Sequence, residues 1–164
     1  MHVTLLSGPN LDLLGEREPE VYGTDTLADH VRRAAAVAES LGWTLDHFQS
    51  NHEGALVDAV HGARSRADAI VVNAGALTHT SWSLHDALGA FDGVVIELHL
   101  SNPAAREPFR HTSVLAAVAD GLVAGMGGLG YELAIEAAVR LAGAGGRGGG
   151  TPDDGLRRAD EEKR

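Results

Sequence analysis

Cysteine is absent from the 164 residues, and lysine occurs once, as Lys163 beside the C-terminal Arg164. Each absence removes a class of chemistry. Without cysteine there is no thiolate nucleophile, disulfide framework or cysteine-ligated zinc. Without lysine the body of the chain can form no lysine Schiff base and no phosphate-binding loop of the G-x-x-x-x-G-K type. Positive charge is scarce as well: 13 basic against 23 acidic side chains leave a formal charge of −10. The segment Gly143 to Arg164 is neutral overall, so the imbalance lies in residues 1–142, where all eight fixed positive charges are Arg. Such a balance argues against nonspecific binding to nucleic acid or to an anionic membrane. No apolar run approaches the roughly 18 residues of a membrane span. Met1 leads straight into a strand-like run, so no signal peptide is expected and the chain reads as a soluble cytoplasmic domain.

Hydrophobic periodicity alternates between short apolar runs and helical stripes. Runs suited to buried strands occur at 2–7, 44–49, 69–73, 94–100 and 121–126. Helical stripes lie between them. Residues 26–41 place Leu27, Val31, Ala34, Ala38 and Leu41 on one face, with Thr24 or Asp25 as cap and Gly42 as stop. Residues 54–64 repeat Leu56, Val60 and Ala63; residues 81–91 carry Leu84 and Leu88; residues 131–142 carry Leu133 or Ala134, then Ala137, Ala138 and Leu141. Five strands alternating with helices predict an α/β three-layer fold, a flavodoxin-like parallel sheet of order 2-1-3-4-5. One domain over residues 1–142 is expected. The Gly-rich and charged stretch 143–164 has no apolar stripe and is expected to be disordered.

Ligands of such sheets bind beyond the carboxyl ends of the strands, which selects the loops after the first, third and fourth. The first, GPNLDLLGEREPEVYG, is long for an α/β connection and holds Asn10, Arg17 and Tyr22. The third strand ends in VVNAGALTHTS, where Asn73 is followed by Gly75, Thr78, His79, Thr80 and Ser81. Their backbone N–H groups could face an anion, or the segment could simply cap the next helix through Thr80 or Ser81. The fourth strand reads VVIELHLSN, and alternation puts Glu97, His99 and Ser101 on one side. A carboxylate two positions before a histidine can orient and charge it, preparing a general acid. Arg106 and Arg110 follow, suited to a carboxylate or alternatively to a salt bridge with Glu107. Gly125, Gly127 and Gly130 match G-x-G-x-x-G, but they follow the last strand, so a tight turn fits better than a dinucleotide site. Nine histidines show no metal-ligand spacing, and no metal is expected.

Five segments in order, GPNLDLLGEREPEVYG, FQSNHEGALVDAVH, NAGALTHTSWSLHDAL, ELHLSNPAAREPFRHTS and DGLVAGMGGLGY, closely resemble the type II 3-dehydroquinate dehydratases over nearly all of residues 2–142. The resemblance implies conversion of 3-dehydroquinate to 3-dehydroshikimate through an enolate, with neither cofactor nor metal nor Schiff base. It implies Tyr22 as base, His99 as the acid that protonates the leaving hydroxyl, and Arg17 as transition-state stabiliser. It further implies that Asn73, His79, Asp86, Leu100, Ser101 and Arg110 line the substrate site, and that Asn10 helps hold a water that stabilises the enolate. Glu97 is expected to support His99. A free tyrosine titrates near 10, and Arg17 in the same loop is the cation that could favour its anion.

The implied assembly is a dodecamer built from trimers, with the family's Asp at position 86 reaching into a neighbouring site. Three positions depart from the family pattern: His85 stands where Arg is frequent, Pro103 where a β-branched residue is common, and Leu129 where Gln is often found. The same dehydration serves aromatic biosynthesis by the shikimate route and quinate breakdown. Two other readings compete: a flavodoxin-like module that binds a small anion without transforming it, and a dinucleotide-dependent oxidoreductase using the 125–130 glycines.

Overall fold

A computed structural model describes residues 1–16 and 23–145. Strands β1 (His2–Ser7), β2 (Thr44–Gln49), β3 (Ala69–Asn73), β4 (Val94–His99) and β5 (Gly121–Ala124) form one parallel sheet in the order 2-1-3-4-5. Helices α1 (Leu27–Ser40), α2 (Glu53–Ala63), α3 (Trp82–Gly89) and α4 (Leu129–Gly143) cover its two faces. This is the expected flavodoxin-like order. None of these helices is long and apolar enough to cross a membrane.

The central strands β1, β3 and β4 are buried almost without interruption, because helices cover them on both sides. On one face α1 and α4 pack Ala34, Ala38, Tyr131 and Ile135 against Val3, Leu5, Val71, Ile96 and Leu98. On the other, α2 and α3 pack Leu56, Val60, Leu84 and Leu88 against Leu6, Ile70, Val72 and Val95. The apolar runs at 44–49 and 121–126, expected to be buried, instead form the half-exposed edges of the sheet. An edge strand has one neighbour only, so its side chains keep contact with water. β5 is also shorter than expected, ending at Ala124 because Gly125 takes a positive φ of 81°.

The helix stripes are corrected in detail. Thr26, not Thr24 or Asp25, caps α1, accepting from the Asp29 N–H while Asp29 reaches back to the Thr26 N–H. On α1 His30 is buried, whereas Leu41 lies beyond the helix and is exposed. On α4 the buried positions are Gly130, Tyr131, Ala134, Ile135, Ala138 and Val139, while Leu133 and Leu141 face outward. Residues 146–164, nearly all of the segment expected to be disordered, lie outside the described residues; α4 itself continues to Gly143.

Candidate active site

The cleft lies where the fold directs it, beyond the carboxyl ends of β1, β3 and β4. It has a volume of about 760 Å³, part of it open to solvent. Two glycines let its walls meet. Gly8 donates its N–H to the Asn73 carbonyl at 2.8 Å, and a Cβ on Gly8 would lie 2.4 Å from the Ala74 carbonyl oxygen. Gly75 takes φ 57° against the carbonyl of Pro9. The loops after β1 and β3 are thereby seamed into one surface.

At the end of β4, the His99 Nε2 stands 2.7 Å from Glu97 Oε1. Glu97 is fully buried and His99 is 9% exposed, so the carboxylate sits behind the ring and the ring opens to the cleft. Burial alone would raise the Glu97 pKa, but hydrogen bonds from His99, Thr78 and Ser113 outweigh it and hold the carboxyl below the ordinary range. Thr78 Oγ1 donates to Oε1, and Ser113 Oγ lies 2.7 and 2.9 Å from the two carboxylate oxygens. Thr78 and Ser113 were not anticipated in this role. They meet Glu97 from segments 19 and 16 residues away, and no local spacing announces such a contact.

The opposite wall carries Asn73, whose Oδ1 accepts from Gly75 N–H at 3.3 Å and whose Nδ2 faces the buried Tyr131 hydroxyl at 3.5 Å. Burial pushes the Tyr131 phenol up to about 12, so it remains protonated. His79 Nδ1 donates to the Thr112 carbonyl at 2.7 Å, which fixes the ring and leaves Nε2 as the second polar atom. The N–H groups of Gly75, Thr80 and Ser81 are spent on Asn73 Oδ1 and the Leu77 carbonyl, so the anion cradle envisaged there does not form from them. Ser81 instead caps α3, accepting from Leu84 N–H at 3.0 Å.

Arg106 and Arg110 both border the cleft and both pair with Glu107, at 3.4 and 2.8 Å. The salt bridge to Glu107 is thus formed, and both guanidinium groups still border the cleft. The cleft also takes in Asn10, Leu100, Ser101 and Pro103. Pro103 opens a short 3-10 turn capped by the Asn102 side chain, which accepts from Ala104 N–H at 3.1 Å.

Of the expected residues, Asn10, Asn73, His79, His99, Leu100, Ser101 and Arg110 come together here, with Glu97 behind. Asp86 does not line this cleft; it sits on the exposed face of α3. Arg17 and Tyr22 lie outside the described residues. The glycines at 125–130 form a turn: Gly125 donates to the carbonyls of His99 and Ser101, and Gly127 to that of Leu100. Among the described residues no cluster of His, Asp or Glu could hold a metal ion.

The chain is similar to known proteins over nearly the whole of this fold. A "3-dehydroquinate dehydratase" of Cereibacter sphaeroides is 54% identical over 143 residues, 87% of this chain and 97% of the relative. Another of that name from Bacillus licheniformis is 55% identical over 134 residues, 82% of this chain and 92% of the relative. The crystal structure of the type II dehydroquinase of Butyrivibrio crossotus superposes with a TM-score of 0.82 at 38% identity, covering 84% of this chain and 97% of that one. The family described as dehydroquinase class II matches residues 1–139, and the chain belongs to this family of dehydratases.

Proposed function

We propose that the chain dehydrates 3-dehydroquinate to 3-dehydroshikimate by way of an enolate, with Tyr22 as base and His99 as acid. The observation that carries this reading is the buried Glu97–His99 pair opening into a cleft bordered by Arg106 and Arg110. A cyclic ketone bearing a carboxylate and hydroxyls matches those walls: guanidinium for the carboxylate, Asn73, His79 and Ser101 for the hydroxyls.

The Tyr22 phenolate takes the proton from the carbon beside the ketone, and the electron pair becomes the enolate. Its collapse expels the hydroxyl, which takes the His99 proton and leaves as water. Arg17 stabilises the developing negative charge, and Asn10 holds a water against the enolate oxygen. Glu97 keeps His99 oriented and favours its protonated form. No cofactor enters the balance. Asp86, exposed and outside its own chain's cleft, acts in a neighbour's site within a dodecamer built from trimers. Residues 143–164 are a dispensable tail, and the enzyme works in the cytoplasm.

Purified protein mixed with 3-dehydroquinate is expected to generate the ultraviolet absorbance of a conjugated enone without added cofactor, and equally in the presence of a chelator. Stabilisation by the substrate without turnover would identify a binding module instead. Tyr22→Phe is expected to lose at least about 100-fold in kcat, the contribution usual for a positioned base. Full activity in that variant would remove Tyr22 from the mechanism.

A further inference from the structure

The segment FQSNHEG is a motif to which the proposed mechanism gives no task. It carries the chain from β2 into α2 and lies against the first loop. Asn51 Oδ1 accepts from the Asn10 N–H at 2.8 Å and from Gln49 Nε2 at 3.2 Å. Asn51 Nδ2 donates to Asp12 Oδ2 at 3.2 Å, and Gln49 Nε2 also reaches the Gly8 carbonyl at 3.3 Å. Two neighbouring carboxamides thus grip the loop at residues 8, 10 and 12, and neither borders the cleft.

What they grip is a backbone held away from its usual conformation. Asn10 has φ 65° and ψ 2°, and it is the only non-glycine residue with positive φ among the described residues. Left-handed backbone is disfavoured for residues with a Cβ, though least so for asparagine. Such a conformation persists where surrounding bonds over-determine it. Asn10 precedes the 3-10 turn Leu11–Leu13, yet its side chain makes no capping bond there, and the residue borders the cleft. The conformation is thus anchored through the backbone, and the carboxamide is not spent on the turn.

We propose that Asn51, buttressed by Gln49, is a positioning residue for the dehydration. It fixes Asn10 in the left-handed conformation that presents the Asn10 carboxamide to the enolate side of the cleft. The inference rests on the dehydratase reading and on the role given to Asn10 in it. Groups that stabilise charge appearing only in the transition state act by being preorganised, and a displacement near 1 Å can cost about 100-fold. Loss of the clamp therefore acts on kcat more than on KM.

Three variants test this, assayed by enone absorbance, with circular dichroism reporting the folded state at the assay temperature. Asn51→Ala is expected to lower kcat by about 10–100-fold with KM within about threefold of wild type. Asn51→Asp keeps acceptors for the Asn10 N–H but sets a carboxylate against Asp12, and should be impaired as well. The swap Asp12→Asn with Asn51→Asp returns a donor to position 12 and an acceptor to position 51, and is expected to recover kcat to within about threefold of wild type. A merely structural defect lowers the folded fraction that circular dichroism reports, not the kcat of the folded enzyme, and the comparison of swap with Asn51→Asp keeps the clamp testable even where Asn51→Ala does not fold. An active wild type alongside an Asn51→Ala variant of unchanged kcat, or a swap no better than Asn51→Asp, overturns the clamp alone. A folded wild type that never turns over 3-dehydroquinate overturns the dehydratase reading itself, and the clamp with it.

Discussion

Glu97 concentrates the cost and the purpose of the site in one residue. A carboxylate taken wholly out of water is expensive unless every lone pair is met. Here His99, Thr78 and Ser113 supply three donors, and the carboxyl titrates below its ordinary value despite burial. Because the folded value is depressed, its stabilising contribution is complete above the unfolded value near 4.5 and disappears as pH falls through the folded one. Across the neutral range the charge is therefore present behind His99. Replacing it by an isosteric amide removes the charge while keeping the shape. Glu97→Gln is expected to lower kcat by about 10–100-fold and to alter the pH–rate profile, since the charge behind the ring is gone. An unchanged profile and turnover would show that Glu97 does not act through His99. Thr78 and Ser113 belong to the same unit, and here sequence reasoning reached its limit. Period-two alternation placed Glu97 and His99 on one side of a strand, but the donors that make a buried carboxylate tolerable come from two loops joined only by the tertiary fold.

At the scale of elements, the contact between α1 and α4 holds a buried polar atom without a partner among the described residues. His30 is 1% exposed and its ring stacks on Tyr131 at 5.0 Å with an interplanar angle of 5°. Arg33 lies 2.9 Å from its Nδ1, so Nδ1 accepts and the proton sits on Nε2, a buried atom with no partner among the described residues. His30→Phe keeps the stack and deletes the orphan donor, and should raise stability by about 1 kcal/mol, measured by denaturant unfolding at pH 7. Burial, aided by Arg33, also lowers the His30 pKa from 6.5. The neutral form is the one the fold accepts, so stability is complete above 6.5 and falls as pH drops below it, by at most about 1.4 kcal/mol per pH unit for one proton. His30→Phe should flatten that part of the acid-side decline. Gly128 presses on the same ring: a Cβ there would lie 2.4 Å from His30 Cε1. Gly128→Ala should cost about 1–3 kcal/mol by pushing the ring out of the stack. A stripe of Leu27, Ala34 and Ala38 made α1 legible, because an apolar face repeats at the helical period. The histidine inside that face was not legible, since its burial depends on the glycine-rich approach of α4. The edge strands β2 and β5 were read as buried for a related reason: composition reports apolar content, whereas edge position is decided by topology.

The whole molecule poses a question of charge and of completeness. A body with a formal charge of −10 receives an anionic substrate only where positive charge is concentrated, and Arg106 and Arg110 concentrate it at the cleft. Within a single chain, however, Asp86 stands apart from that cleft. It lies on α3 four residues after Trp82, which is 62% exposed, and residues four apart share one face of a helix. A large exposed aromatic beside a carboxylate suits a surface that meets another copy better than one that faces water. In the proposed trimer-based assembly each site combines Tyr22 and His99 of one chain with Asp86 of the next. Two inactive variants can then repair each other. Asp86→Asn and Tyr22→Phe are each expected to be strongly impaired as homogeneous assemblies. Dissociated, mixed in equal amounts and reassembled, they should regain about a quarter of wild-type activity, because random pairing reunites both intact residues at about one site in four. Mixed assemblies that stay as inactive as their components would place Asp86 in the site of its own chain.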